Sequence, residues 1–223
     1  MKKLLVLAIA LFATAGSAFA CPTAAPPPDN SLVSTLSSQA PGLRSDVLKL
    51  ALNAEQCAAK EGLVKRTDML TVIDYSLPSS TPRLFVFNLA THKLLFRELV
   101  AHGKNSGDNI TSFFSNSPSS LATSLGLFVT ADTYVGKNGY SLRLKGLDEG
   151  FNDMAFDRAI VMHGASYVSQ EAVKVLGRLG RSWGCPAVSS TVAQKIIDTI
   201  RGGSAIFSYY PDKDWLSKSE FLH

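Results

Sequence analysis

Gly180-Arg181-Ser182-Trp183-Gly184-Cys185-Pro186-Ala187-Val188 follows, after about twenty residues, the apolar run Ile160-Val161-Met162-His163-Gly164. A thiolate is the strongest side-chain nucleophile near neutral pH, and imidazole is the usual base that generates it. Cys185 therefore reads as a nucleophile and His163 as its base. The apolar run puts the histidine at a strand end, where Gly164 lets the ring reach a cleft edge. Gly184 permits close approach of a carbonyl, and the amides around Gly184 and Cys185 can face a developing oxyanion. The alternatives are a buried structural thiol and a hydrogen-bonded core histidine. The Ser-Trp-Gly-Cys context with an upstream His-Gly favours chemistry. Ser182 either closes the turn locally or donates toward a substrate. Trp183 either walls a pocket or packs as the anchor of its loop.

Outward from this core the chain reads mostly as strands. Leu70–Tyr75 is apolar and β-branched, and Arg83–Asn88 alternates. A turn at Thr91-His92 leads into Lys93–Val100, which makes a hairpin. Further strands are expected at Gly126–Thr130, Tyr140–Leu144, Ala159–Met162 and Ser204–Tyr210. The loop from Gly103 to Ser124 is rich in Gly, Ser and Asn, and loops of this length are commonly functional or mobile. Helical spacing predicts a helix over Leu43–Ala59 stopped at Gly62. Two more are expected, one capped by Ser169 and closed by Gly180, the other capped by Ser190 and ending near Arg201. Residues 21–42, with their prolines and serines, read as an arm, leaving 43–223 as one domain.

The pairing of His163-Gly164 with Ser182-x-Gly184-Cys185 resembles the catalytic core of the murein L,D-transpeptidases. The match is closest to a subfamily reading His-Gly-Ala…Gly-Arg-Ser-x-Gly-Cys-Pro-Ala. It extends through Asp74-Tyr-Ser, Ala101-His102-Gly103, Ser124-Leu-Gly126 and Ser141-Leu-Arg143-Leu, roughly Leu70 to Pro211. Better-known members carry His where this chain has Trp183, and a polar residue where it has Pro186-Ala187. The resemblance implies an α+β, mainly β fold, with β-sandwich-like sheets decorated by helices. It also implies a cofactor-free cysteine acyltransferase. Cys185 would attack a peptidoglycan tetrapeptide stem, expel the terminal D-alanine and pass the thioester to an amine on a second stem. An L,D-carboxypeptidase or cross-link hydrolase would use the same site, and a non-catalytic wall-binding protein is the rival from another class. Arg181, Arg143 and Arg158 are candidates to receive a substrate carboxylate, against surface solvation or ion pairing with Asp148, Asp153 or Asp157, and Arg181 comes first because it lies four residues from Cys185. His102 either flanks the cleft or packs its loop.

The first twenty residues read as a secretory signal: Lys2 and Lys3, the apolar Leu4–Phe12 and the cleavage site Ala18-Phe19-Ala20. Export places the chain in an oxidising compartment such as the periplasm, with no later run long enough to span a membrane. Of the cysteines Cys21, Cys57 and Cys185, the first two are the natural pair, leaving Cys185 free. A lipid on Cys21 and an unpaired Cys57 are the alternatives. Losing Lys2 and Lys3 lowers the net charge of +4 by two, which gives little reason to invoke nucleic acid. Neither Cys-x-x-Cys nor His-x-x-x-His occurs, and the glycines fit no nucleotide-binding fingerprint, so no metal or nucleotide is expected.

Overall fold

Among the described residues, runs of β-branched and aromatic side chains make nine strands, and helices cover their faces. The structure, a computed structural model, describes residues 29–223. Helices α1 (Asn30–Gln39) and α2 (Ser45–Lys60) come first, then β1 (Arg66–Asp74), β2 (Leu84–Asn88), β3 (Lys93–Glu98) and β4 (Val100–Ala101). A long loop leads to β5 (Gly126–Gly136) and β6 (Gly139–Gly146), and a 3-10 turn at Asp153–Ala155 to β7 (Val161–Ala165). The chain continues through α3 (Gln170–Leu176), β8 (Ala187–Ser189), α4 (Ala193–Ile200), β9 (Ser204–Tyr209) and α5 (Lys213–Lys218).

The strands form one sheet in the order β3-β2-β1-β9-β5-β6-β7-β8-β4. Its ends, β3 and β4, are separated in sequence by Leu99 alone. Glu98 pairs with Leu84 of β2 while Val100 pairs with Val188 of β8. A strand advances only about 3.3 Å per residue, so the sheet must curl until its two ends share one extended run.

Period-two alternation then assigns each strand's side chains to one of two cores. Leu70, Val72, Phe85, Phe87, Ala205 and Phe207 face outward against α1, α2 and Trp215 of α5. Ile73, Leu84, Val86 and Ile206 face inward, where they meet Leu142, Met162, Val188 and the buried face of α4. The mainly β, α+β reading holds, and opposite stretches of one sheet face each other across the inner core.

Several local expectations change. The expected arm 21–42 contains α1, capped by Asp29 accepting from the Ser31 N–H, with Val33 and Leu36 buried against α2. Its apolar spacing is only two turns long and is masked by serines. Gly177, at φ 70°, closes α3 one turn before Gly180, because only a residue tolerant of the left-handed region ends the helix there. Ser169 caps α3 as expected, but α4 starts after Val192 without a side-chain cap, so Ser190 does not serve. Cys57 is disulfide-bonded and Cys185 is a free thiol. The expected signal 1–20 and Cys21, whether disulfide partner or lipid site, lie outside the described residues. No helix among the described residues is long and apolar enough to cross a membrane.

Candidate active site

Parallel pairing of β7 with β8 sets His163 opposite Ala187, so the histidine and the residues just before β8 meet at one end of the inner core. There a cavity of about 400 Å³ is lined by Cys185, His163, Arg158, Ala159, Tyr167, Arg181, Ser182 and Trp183, together with Lys137 and Asn138. The sequence-expected nucleophile and base thus share one cavity.

The His163 ring is 5% exposed, and its Nδ1 lies 3.0 Å from the Gly164 carbonyl oxygen. Nδ1 must therefore carry the proton and donate it, which leaves Nε2 as the acceptor. The group that orients the imidazole is thus a backbone carbonyl, which no side-chain pattern reveals.

Cys185 Sγ accepts from the Val161 N–H at 3.4 Å and donates to the Ala159 carbonyl at 3.8 Å. Ala159 presents that carbonyl from a left-handed conformation, φ 53°, unusual for a residue with a Cβ. Burial pushes the Cys185 thiol pKa up, opposed by the Val161 N–H and the charge of Arg158. An imidazole-depressed thiol is the natural expectation for a Cys–His pair, and desolvation runs against it here.

The turn carrying Cys185 is held by one of its own side chains. Ser182 Oγ donates to the Cys185 carbonyl at 2.6 Å and accepts from the Gly184 N–H at 3.1 Å. The Ser182 N–H donates to the His102 carbonyl at 2.9 Å, and the Lys104 N–H to the Ser182 carbonyl at 2.9 Å. Ser182 is therefore a turn-locking residue. The Gly184 amide is spent on it and does not face the cavity as an oxyanion donor. Gly184 has φ 120°, and a Cβ there would lie 2.8 Å from the Ala122 carbonyl oxygen.

The remaining candidates divide. Trp183 is 71% exposed and walls the cavity rather than anchoring the loop. Arg181 lines the cavity, but its Nη1 donates to the carbonyls of Lys104 and Gly107 and pairs with Asp108 at 2.9 Å. His102 is fully buried and does not flank the cleft. Its Nδ1 meets Arg83 Nη2 at 2.7 Å and its Nε2 meets the Gly107 carbonyl at 3.2 Å. Guanidinium can only donate, so Nδ1 accepts and Nε2–H donates. Burial, then the Arg83 charge, lowers the His102 pKa to about 4. Arg143 also lies outside the cavity lining, stacked 4.3 Å over the Tyr134 ring.

Arg158 does more than its sequence context indicates. Its Nη atoms donate to Ser115 O, Ser124 Oγ, Ser120 Oγ and Ala122 O, fastening the long loop beside the thiol. Nothing in the sequence separates it from other surface arginines. Tyr167 carries no signal either. The Lys137-Asn138 tip was legible in part, since Asn138-Gly139 marks a tight hairpin.

A family description of the L,D-transpeptidase catalytic domain matches residues 39–209. No curated protein matches the chain. Among solved structures, an L,D-transpeptidase from Mycobacterium smegmatis is 15% identical at TM-score 0.41, covering 64% of this chain and 59% of its own. The helical cell shape determining protein Pgp2 from Campylobacter jejuni is 11% identical at TM-score 0.43, covering 65% and 48%. An L,D-transpeptidase from Xylanimonas cellulosilytica is 14% identical at TM-score 0.36, covering 80% and 91%. The chain thus spans 59% and 48% of the mycobacterial and Campylobacter structures. The family match takes in every sheet strand and the whole Cys185–His163 cavity, and on that match the chain belongs to the L,D-transpeptidase catalytic domain family.

Proposed function

We propose that this chain is an exported cysteine acyltransferase that carries out L,D-transpeptidation on peptidoglycan tetrapeptide stems. The observation that carries this reading is one cavity lined by a free thiol and by an imidazole whose Nε2 is the acceptor. His163 Nε2 takes the thiol proton as Cys185 Sγ attacks the carbonyl of the third stem residue. The Cys185 N–H, which makes no hydrogen bond among the described residues, is the amide available to the oxyanion. The C–N bond to the terminal D-alanine breaks, His163 returns the proton to that leaving nitrogen, and a thioester remains. An amine of a second stem then attacks the thioester and gives its proton to His163, the C–S bond breaks, and His163 passes that proton to the departing sulfur. Water in place of the amine makes the same site a carboxypeptidase.

Incubation of the mature protein with disaccharide-tetrapeptide, followed by product masses, tests the reading. A cross-linked dimer is expected. Tripeptide alone shows a hydrolase, and unchanged substrate at every concentration sinks the enzyme reading in favour of a wall-binding protein.

A further inference from the structure

The β5–β6 hairpin runs past the rest of the sheet. β9 pairs with β5 only over Gly126–Val129, and β7 pairs with β6 only over Ser141–Arg143. From Val135 to Tyr140 the hairpin is two-stranded, beyond the last β7 pair at Ser141, and its tip, Lys137-Asn138, lines the cavity that holds Cys185 and His163.

The charge of that cavity is one-sided. Among the described residues its lining includes Lys137, Arg158 and Arg181 and no carboxylate. Two of the three cations are already committed. Arg158 spends its Nη atoms on four acceptors of the long loop. Arg181 Nη1 is held by Asp108 and two carbonyls. Lys137 makes no hydrogen bond or ion pair among the described residues.

We propose that Lys137 is a specificity-determining residue that receives the free terminal carboxylate of the donor peptide. The inference rests on the transpeptidase reading above and extends it to the donor class: peptides ending in a free carboxylate, in preference to amidated ones. When the scissile bond precedes the last residue, the terminal carboxylate lies within about 3.6 Å of chain length from the leaving nitrogen. It therefore enters the same cavity as the sulfur, where Lys137 is the lining cation with no partner among the described residues. A lysine on a two-stranded ribbon can follow the carboxylate as the leaving residue departs.

The test is alkylation of Cys185 by iodoacetate and by iodoacetamide, reagents of similar size that differ in charge. Each is attacked by the sulfur at its methylene carbon with loss of iodide, so the ratio of the two rates cancels changes in thiol ionisation. Lys137→Met should lower the iodoacetate-to-iodoacetamide ratio by about twofold to fivefold at low ionic strength, an effect that fades with salt. Lys137→Arg should retain the ratio, as should Lys145→Met, which removes an exposed charge from the same hairpin outside the lining. In turnover, Lys137→Met should raise KM for the free-carboxylate donor and leave the amidated donor unchanged. An equal ratio in wild type and Lys137→Met overturns the proposal. Failure of the transpeptidase reading is seen separately, as absent turnover in a wild-type protein whose alkylation ratio still depends on Lys137.

Discussion

At the scale of single residues, the question is what state Cys185 rests in. Desolvation raises its pKa, so the free protein stores a thiol, and His163, whose Nε2 is the acceptor, lines the same cavity. Proton transfer then belongs to the reaction rather than to the resting state. Iodoacetamide alkylation of Cys185 should be half-maximal above the pH of an ordinary cysteine. His163→Ala should leave that profile nearly in place while lowering turnover about 10²- to 10⁴-fold. A wild-type profile below the ordinary cysteine value that His163→Ala moves upward would falsify this account. Cys185→Ala should abolish the acyl-enzyme with the fold intact, and Cys185→Ser should be nearly inactive because a hydroxyl ionises far less readily.

Among elements, the 180–186 turn is where local geometry and chemistry meet. Ser182 Oγ fastens its two ends, and Gly184 takes the φ of 120° that lets the backbone pass the Ala122 carbonyl. Gly184→Ala adds a Cβ only 2.8 Å from that oxygen, in a conformation L-residues avoid. The expected cost is about 1–3 kcal/mol in denaturant unfolding, with turnover falling further than stability because Cys185 is the next residue. Wild-type turnover in Gly184→Ala would show that the turn tolerates a shift. The long loop depends equally on tertiary partners. It is held by Arg158 and by the Thr123 N–H donating to Ser106 Oγ at 2.8 Å, so its composition misleads about its order.

Across the whole molecule, two buried groups make stability depend on pH in opposite senses. His102 has its pKa lowered from 6.5 to about 4 by burial and by Arg83. The unfolded chain binds its proton first, so stability present above pH 6.5 is lost as pH falls toward 4, on the order of 3 kcal/mol in all. Glu55, buried on α2 with Oε1 lacking a partner, has its pKa raised from 4.5 to about 7 by desolvation. Here the folded chain holds the proton longer, so stability falls as pH rises from 4.5 to about 7. Glu55→Gln should therefore be more stable than wild type at pH 8, by about 1–3 kcal/mol, with the difference vanishing near pH 4. His102→Gln should flatten the acid limb. Unfolding midpoints across pH 4–8 decide both, and a Glu55→Gln curve parallel to wild type would rule out Glu55.

Composition and alternation along Leu70–Tyr75, Arg83–Asn88 and Ser204–Tyr210 were enough for a mainly β domain with helices. That is because period-two burial is written into each strand separately. The Cys185 turn and the His163 strand end were legible for the same reason: small residues, a thiol and an imidazole sit in short local patterns. The sequence could not show that β3 and β4 are two parts of one run that joins the sheet's ends, since pairing partners are chosen by packing across the chain. Nor did it say what Arg158, Arg181, Arg143 and His102 touch: Arg181 stood first only for its place four residues before Cys185. A charged side chain's role depends on which carbonyls, rings and carboxylates fold around it. Tertiary structure spent Arg158 and Arg181 on loops, stacked Arg143 on Tyr134, buried His102 against Arg83, and left Lys137 facing the cavity of Cys185.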